Sequence, residues 1–505
     1  MSIEREAKLS ADSEMVLPDL HEVLPGIGVG PSHTVELDAV YYDTEDLSLA
    51  RSGVTLRSRT GEPGPTWTVK LPDGDTGPVL SRNEVTFVAR PGRVPRAAAD
   101  LVLAHVRGRP LGPVGRIRTR RVQFTLSSDA GIVATVCDDY VTADVDGAAH
   151  LFREVEVELA PDVADDELLE AVVDRLTESG CRPAKQTVPK IVHALGKRAQ
   201  AAPDVVAQEV GRKASIDAVV TGVIASSVVQ LISFDPGVRL GDEPEDLHQF
   251  RVAARRLRSD LRTFGPLLDP TWSTRLRDEI RWLDSTVGAV RDADVLGARL
   301  EARCEQLPAA DAPAGRRLLG LLDEEATQAR EAMVTMLSSD RYVALLDALV
   351  AAAAAPMITP DALDDGDDGP RATRNSIAGL VRKPWRHLRR AADALTPESD
   401  DDDLHRVRIL AKRCRYGADA AVTVFGDDAR RFAEAVADVQ TVLGEHQDTV
   451  IAEAWLRATA KTMPSARLAA GSLIALEWPD RAQAREQFPK VWRKASKRSL
   501  RGWFD

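Results

Sequence analysis

The chain has 505 residues, 29% of them charged and 44% hydrophobic, with a formal net charge of -12. That length suits two or three domains, each with a sizeable core. The acidic balance excludes a general nucleic-acid binder, so any positive charge that matters must be local.

In chain order, the first predicted strand alternates Glu4, Glu6 and Lys8 with Arg5 and Ala7. An extended strand turns successive side chains to opposite faces, so those three charges share one face. One such strand is most simply a solvated edge, but the pattern recurs. Leu56-Arg57-Ser58-Arg59 puts two arginines on one face, Trp67-Thr68-Val69-Lys70 puts Thr68 with Lys70, and Arg82 pairs with Glu84 in the same way. Arg116, Arg118 and Arg120 form a stripe opposite Ile117 and Thr119, and Glu154, Glu156 and Glu158 form another, separated by Val155 and Val157. Segregation of Arg and Glu strand by strand predicts a closed antiparallel sheet whose charged faces converge on a lumen. That lumen opposes acids (Glu4, Glu6, Glu154, Glu156, Glu158, with Asp138 a further candidate) to bases (Lys8, Arg57, Arg59, Lys70, Arg82, Arg118, Arg120 and a later Lys185). Crowded carboxylates either take up protons or recruit a hard divalent cation, and crowded arginines and lysines match phosphate oxygens. Together they describe a site for a metal ion and an oligophosphate.

From about residue 205 the alternation stops and Ala, Leu, Arg and Glu recur with helical spacing, after a polar linker over 201–212. One segment is written twice. His248-Gln249-Phe250-Arg251 opens a run reaching Arg258 and is followed by Arg291-Asp292. His405-Arg406-Val407-Arg408 opens a run reaching Arg415 and is followed by Gln447-Asp448. The interval from His to Asp is 44 residues in the first copy and 43 in the second. This internal duplication divides the helical half into about 213–345 and 375–505. Within the copies, His248, Arg251, Arg255, Arg258 and Arg262, and then His405, Arg408, Lys412 and Arg415, advance by 3 and 4. Residues so spaced lie along one helical face. Two equivalent basic stripes predict binding of an extended polyanion, held mainly by Coulombic attraction. Arg256 and Arg413 are weaker candidates. Arg291-Asp292 and Gln447-Asp448 read as structural, orienting the basic side chains. The basic segments Arg382 to Arg390 and Lys490 to Arg501 suit either ligand contact or solvated surface, and Trp272, Trp282 and Trp455 are expected as core anchors.

Glu4-Arg5-Glu6-Ala7-Lys8, Tyr41-Tyr42-Asp43-Thr44, Leu56-Arg57-Ser58-Arg59, Trp67-Thr68-Val69-Lys70 and Glu154-Val155-Glu156-Val157-Glu158 occur in the order seen in the CYTH superfamily, which residues 1–200 resemble. The resemblance implies an eight-stranded antiparallel triphosphate tunnel using Mg2+ or Mn2+. Glu4, Glu6 and the Glu154, Glu156, Glu158 run become metal ligands, and Glu4, Glu6 and Lys8 the catalytic set. Lys8, Arg57, Arg59, Lys70, Arg82, Arg118, Arg120 and Lys185 become substrate ligands, although Ala184 stands where the family often has Ser before the last lysine. Residues 213–505 resemble the CHAD domain, which implies two pseudo-symmetric four-helix bundles around a basic groove and inorganic polyphosphate as ligand. The groove ligands carried over are His248, Arg251, Arg255, Arg258, His405, Arg408, Lys412 and Arg415.

The expected fold is therefore α+β in two domains, and the expected activity is metal-dependent hydrolysis of a triphosphate, most simply inorganic triphosphate, alongside polyphosphate binding. The alternatives are a non-catalytic polyphosphate scaffold, an adenylyl cyclase, and a nucleotide or thiamine triphosphatase. Cys137, Cys181, Cys304 and Cys414 show neither paired metal spacing nor a disulfide framework. No signal peptide is read, and the apolar run from Val219 to Ile232 is too short to span a bilayer. The expectation is a cytoplasmic protein whose helical half either feeds polyphosphate chains to the tunnel or docks the protein on polyphosphate granules, with no membrane or specific nucleic-acid partner. Assembly as a monomer or homodimer stays open.

Overall fold

The computed structural model describes residues 2–3, 6–64, 66–72, 82–160, 163, 166–183, 188–363 and 369–505. Contacts divide the chain into two compact units, Met1–Asp204 and Val205–Asp505.

The first unit contains strands β1 (Ser2–Ile3), β2 (Glu6–Ala11), β3 (Gly28–Val29), β4 (His33–Asp43), β5 (Thr55–Thr60), β6 (Trp67–Pro72), β7 (Arg82–Phe87), β8 (Gly112–Ser128), β9 (Gly131–Val145), β10 (Ala148–Leu159) and β11 (Arg182–Pro183). They pair in the order β1-β7-β6-β5-β4-β8-β9-β10-β2-β11, with β3 on β8. Only two residues separate β1 from β2, so the two ends of this path meet in the N-terminal segment and the sheet closes on itself. Counting β1 with β2, and setting aside the two-residue β3 and β11, eight antiparallel strands form the barrel. Short helices α1 (Ser48–Arg51), α2 (Arg96–Leu101) and α3 (Leu103–Val106) fill the connections, and α4 (Asp166–Glu178) and α5 (Lys190–Leu195) follow the last long strand.

Alternation here is polar-in and apolar-out. Leu9, Val136, Val155 and Val157 leave the outer wall and pack under Leu168, Leu169, Val172 and Leu176 of α4. Each such side chain contributes about 1.5–3 kcal/mol when fully buried, which anchors the register that turns the charges between them inward. Towards one end the lumen itself becomes apolar. Val141, Ala143 and Val145 of β9 meet Ile117 of β8 and Ile191 and Val192 of α5, so α5 plugs that end. Gly115 makes room for the plug, since a Cβ there would sit 2.7 Å from Cδ1 of Ile191.

The second unit is helical: α6 (Ile216–Leu240), α7 (Pro244–Thr263), α8 (Pro270–Cys304), α9 (Ala312–Leu337), α10 (Asp340–Ala354), α11 (Pro360–Leu363), α12 (Gly369–Asp393), α13 (Asp401–Phe425), α14 (Asp427–Thr462) and α15 (Arg467–Ala495). The duplication is visible in helix lengths. Helices α6 to α9 run 25, 20, 35 and 26 residues, and α12 to α15 run 25, 25, 36 and 29. Successive helices of each set pack together, and α7 meets α13 across the two sets. Helix α6 is longer than its apolar run suggested. By length and composition it suffices to cross a membrane, but 56% of its apolar window is buried, and it packs against α7 and α10. The core tryptophans are Trp67, Trp385 and Trp492, whereas Trp272, Trp282 and Trp455 are only half-buried.

Candidate functional site: a charged tunnel and a basic groove

A cavity of about 330 Å³ occupies the barrel. Its cations are Lys8 of β2, Arg57 and Arg59 of β5, Lys70 of β6, Arg121 of β8 and Lys190 of α5; its acids are Glu6, Glu62, Glu84, Asp139, Glu156 and Glu158. Beside the plug these charges form a closed lattice. Glu156 accepts from Lys8 Nζ at 2.8 Å, Lys190 Nζ at 2.6 Å and Arg121 at 2.9 Å. Asp139 accepts from Arg121 at 2.8 and 2.7 Å and lies 3.0 Å from Lys190. Burial works against every charge here, but Lys190, Lys8 and Arg121 hold Glu156 well below the usual carboxylate range. In return Glu156, Asp139 and Glu154 hold Lys190 above the ordinary lysine range.

Away from the lattice, Arg57 keeps a donor open. The buried guanidinium of Arg57 donates at 3.5 Å to the Tyr41 hydroxyl, and its Nε has no partner among the described residues. A buried donor left unmade costs about 1–3 kcal/mol, so this group is set for an anion. Arg59 is pushed below its usual range by burial and by Arg57, and pairs with Glu62 at 2.8 Å. Lys70 lies 2.9 Å from Glu84.

Glu6 and Glu158 face one another as register partners on β2 and β10. Among the described residues no group of three or more His, Cys, Asp or Glu comes close enough to hold a metal ion unaided. Two opposed carboxylates still suit Mg2+ or Mn2+. Mg2+ typically binds through one or two carboxylates and completes its shell with substrate phosphates and water. Glu156, held by three cations, is the less suited ligand.

The structure corrects part of the expected set. Arg118 and Arg120 lie on the outer wall: Arg118 pairs with Asp144 at 2.5 Å with its side chain 55% exposed, and Arg120 stacks over Tyr140. In β8 the odd positions Ile117, Thr119, Arg121 and Gln123 face the lumen, so the inward arginine is Arg121. Glu154 keeps to the inner face but does not line the cavity; it lies 3.3 Å from Lys190 and supports it. Lys8, Arg57, Arg59, Lys70, Glu6, Glu156 and Glu158 all line the cavity. Glu4 and Lys185 lie outside the described residues, and of Arg82 only the backbone is described, opposite Pro72. Asp138 faces outward, bonded to Arg153. Sequence reasoning missed Arg121, Lys190, Asp139 and Tyr41. Arg121 stood in plain view beside Arg120, whereas no spacing announced Lys190.

The helical unit has its own cavity of about 360 Å³, between α7, α8 and α13. Arg255, Arg258 and Arg262 come from α7, Arg277 and Arg281 from α8, and His405, Arg408, Lys412 and Arg413 from α13. One carboxylate serves much of this charge. Asp284 lies 2.9 Å from Arg258, 3.3 Å from Arg255 and 3.9 Å from Arg251. Arg277 Nε, Arg408 Nε and His405 Nδ1 are buried without a partner among the described residues. Arg262 is lowered by burial and by Arg413, Arg277, Arg258 and Arg281. Arg251 is buried behind the groove, 2.8 Å from Asp292. His248 does not line the cavity, and Arg415 turns to Asp419 at 3.5 Å. The contribution of α8 was not foreseen, since its arginines fall outside the duplicated stripe.

The CYTH domain family matches residues 2–188 and the CHAD domain family residues 222–457. Two uncharacterized proteins of Mycobacterium tuberculosis, from strains CDC 1551 / Oshkosh and H37Rv, are 32% identical over 98% of this chain and 96% of their own. The CHAD domain from the plant Ricinus communis aligns with 26% identity and a TM-score of 0.47 over 58% of this chain and 96% of its own. PptA from Streptomyces chartreusis aligns with 23% identity and a TM-score of 0.46 over 55% of this chain and 100% of its own. The chain therefore belongs to the CYTH–CHAD proteins, with an N-terminal CYTH domain and a C-terminal CHAD domain.

Proposed function

We propose that the tunnel hydrolyses a triphosphate, with inorganic triphosphate the first candidate, and that the helical groove binds inorganic polyphosphate. The carrying observation is the buried Arg57 with an open donor inside a cavity lined by five further cations. Only a polyanion of several linked phosphates engages such a set at once, because each phosphate satisfies one or two forks or ammonium groups. Arg57, Arg59 and Lys70 bind and orient the chain, Arg59 releasing Glu62 to do so, while Arg121, Lys8 and Lys190 set the field at the plug end. The apolar plug excludes water there, which strengthens every charge contact inside. A metal ion held by Glu6 and Glu158 would draw charge from the phosphate oxygens. Water then attacks the terminal phosphorus, the bond to the bridging oxygen breaks, and orthophosphate leaves with its diphosphate partner.

A second reading, a tunnel that holds polyphosphate without turnover, is favoured by one observation: Glu156 is already neutralised by three cations. Phosphate release by the full chain with Mg2+ and with Mn2+, on inorganic triphosphate, ATP and thiamine triphosphate, separates the two. Fast release from inorganic triphosphate is expected, and retention of polyphosphate with no release from any substrate would replace hydrolysis by the scaffold reading. Docking on polyphosphate granules in the cytoplasm is the corresponding proposal for location, tested by whether an Arg277→Ala/Arg408→Ala variant leaves the granules.

A further inference from the structure

The groove between α7, α8 and α13 holds too much positive charge at close quarters to keep all of it while empty. Around Lys412, α13 contributes Arg408 and His405, and α7 contributes Arg251, Arg255, Arg258 and Arg262. Helix α8 adds Arg277 and Arg281. The acids facing this set are Asp284 and Asp292 on α8 and Asp448 on α14. Asp284 is shared by up to three arginines and Asp292 is committed to Arg251. Like charges at this range disfavour one another's ionised forms. Arginine does not give up its proton in proteins, so between the arginines and Lys412 the lysine is the group that yields.

We infer that anion binding in the groove is coupled to uptake of a proton by Lys412, so that the groove holds polyphosphate more tightly as the solution becomes more acidic. This rests on the polyphosphate reading of the groove. Burial, with Arg408, Arg255 and Arg251 adding to it, brings the Lys412 ammonium down to about 7. A phosphate chain laid against Lys412 supplies the missing negative charge and restores the ordinary lysine range. The sign follows from linkage. Below the empty-groove value Lys412 is charged in both states and no proton is taken up; above it the empty groove is neutral at that position, and binding must import a proton that is scarcer at higher pH. Uptake is then about half a proton per groove at pH 7 and about 0.9 at pH 8, and affinity falls about tenfold between pH 6 and pH 8.

The test is calorimetric titration of the full chain with long-chain inorganic polyphosphate, in two buffers of different ionisation enthalpy, at pH 6, 7 and 8. The wild type and Lys412→Arg are compared, since Arg keeps the charge without titrating. The wild type should take up protons with the pH profile above, and Lys412→Arg, whatever its affinity, should lose that uptake. A slope shared by both proteins belongs to the other groups of the groove. Tight binding without proton uptake in the wild type, or equal uptake in Lys412→Arg, overturns the coupling while leaving the polyphosphate reading intact. Absence of binding at every pH overturns both.

Discussion

The inward position of Arg121, against the outward stripe Arg116, Arg118, Arg120, gives a sharp test of the barrel's register. Arg121 donates three hydrogen bonds, two to Asp139 and one to Glu156, and its side chain is 16% exposed while that of Asp139 is fully buried. Arg121→Ala leaves Asp139 with Lys190 at 3.0 Å as its remaining cation among the described residues. Breaking a buried ion pair from one side costs about 3–5 kcal/mol, and the surviving lysine places this case near about 3 kcal/mol. For a unit of this size that lowers the melting temperature by roughly 6–12 °C. Arg118→Ala removes a pair whose side chains are 55% and 40% exposed, worth less than about 1 kcal/mol. Scanning calorimetry of the full chain, followed by phosphate release below the transition, reads both effects. A fall for Arg121→Ala beside a near-silent Arg118→Ala is expected; equal damage from the two, or damage confined to Arg118→Ala, would refute the register and the site built on it.

Arg57→Ala removes a charge-assisted contact worth about 1.5–3 kcal/mol and should lower kcat/KM for inorganic triphosphate by roughly 10- to 150-fold, with melting little changed because the hydrogen bond Arg57 gives the Tyr41 hydroxyl is long, 3.5 Å. Ile191→Ala opens the plug at a fully packed position and should destabilise by about 2–4 kcal/mol, read by denaturant titration; a neutral effect would mean that α5 does not seal the barrel. Burial pushes the Asp260 carboxyl up to about 7. Its raised value means that protonation stabilises the fold fully below the unfolded carboxyl value, and that this is lost as pH rises from about 4 through about 7. Asp260→Asn should therefore raise the melting temperature at pH 8 and leave it near wild type at pH 4, and the opposite order would show Asp260 ionised in the fold.

The barrel was legible because charges alternated in strand after strand; β5, β6 and the Glu154 to Glu158 run of β10 each carried a single charged face. β8 did not. With Arg120 and Arg121 adjacent, either face of that strand presents arginine, and only packing decides: Leu126 goes under α4 and Ile117 goes to the plug. Lys190 was illegible for a different reason. It reaches the lumen because a six-residue helix closes the barrel end, and no local pattern reports that long-range seating. In the helical unit the duplicated stripe located α7 and α13, and their meeting makes the groove. The third wall, Arg277 and Arg281 of α8, depended on how α8 packs against α7. Periodicity likewise could not tell that Arg415 turns to Asp419 on its own helix.

The measurement that bears most directly on the account is single-turnover phosphate release from inorganic triphosphate by wild type and Glu6→Gln/Glu158→Gln, with Mg2+ or Mn2+ and with chelator. The account predicts metal-dependent release by the wild type, lost in the double variant while triphosphate still binds to the cation set. Release that survives either the chelator or the double substitution would contradict the assignment of the opposed carboxylates as the metal-holding pair.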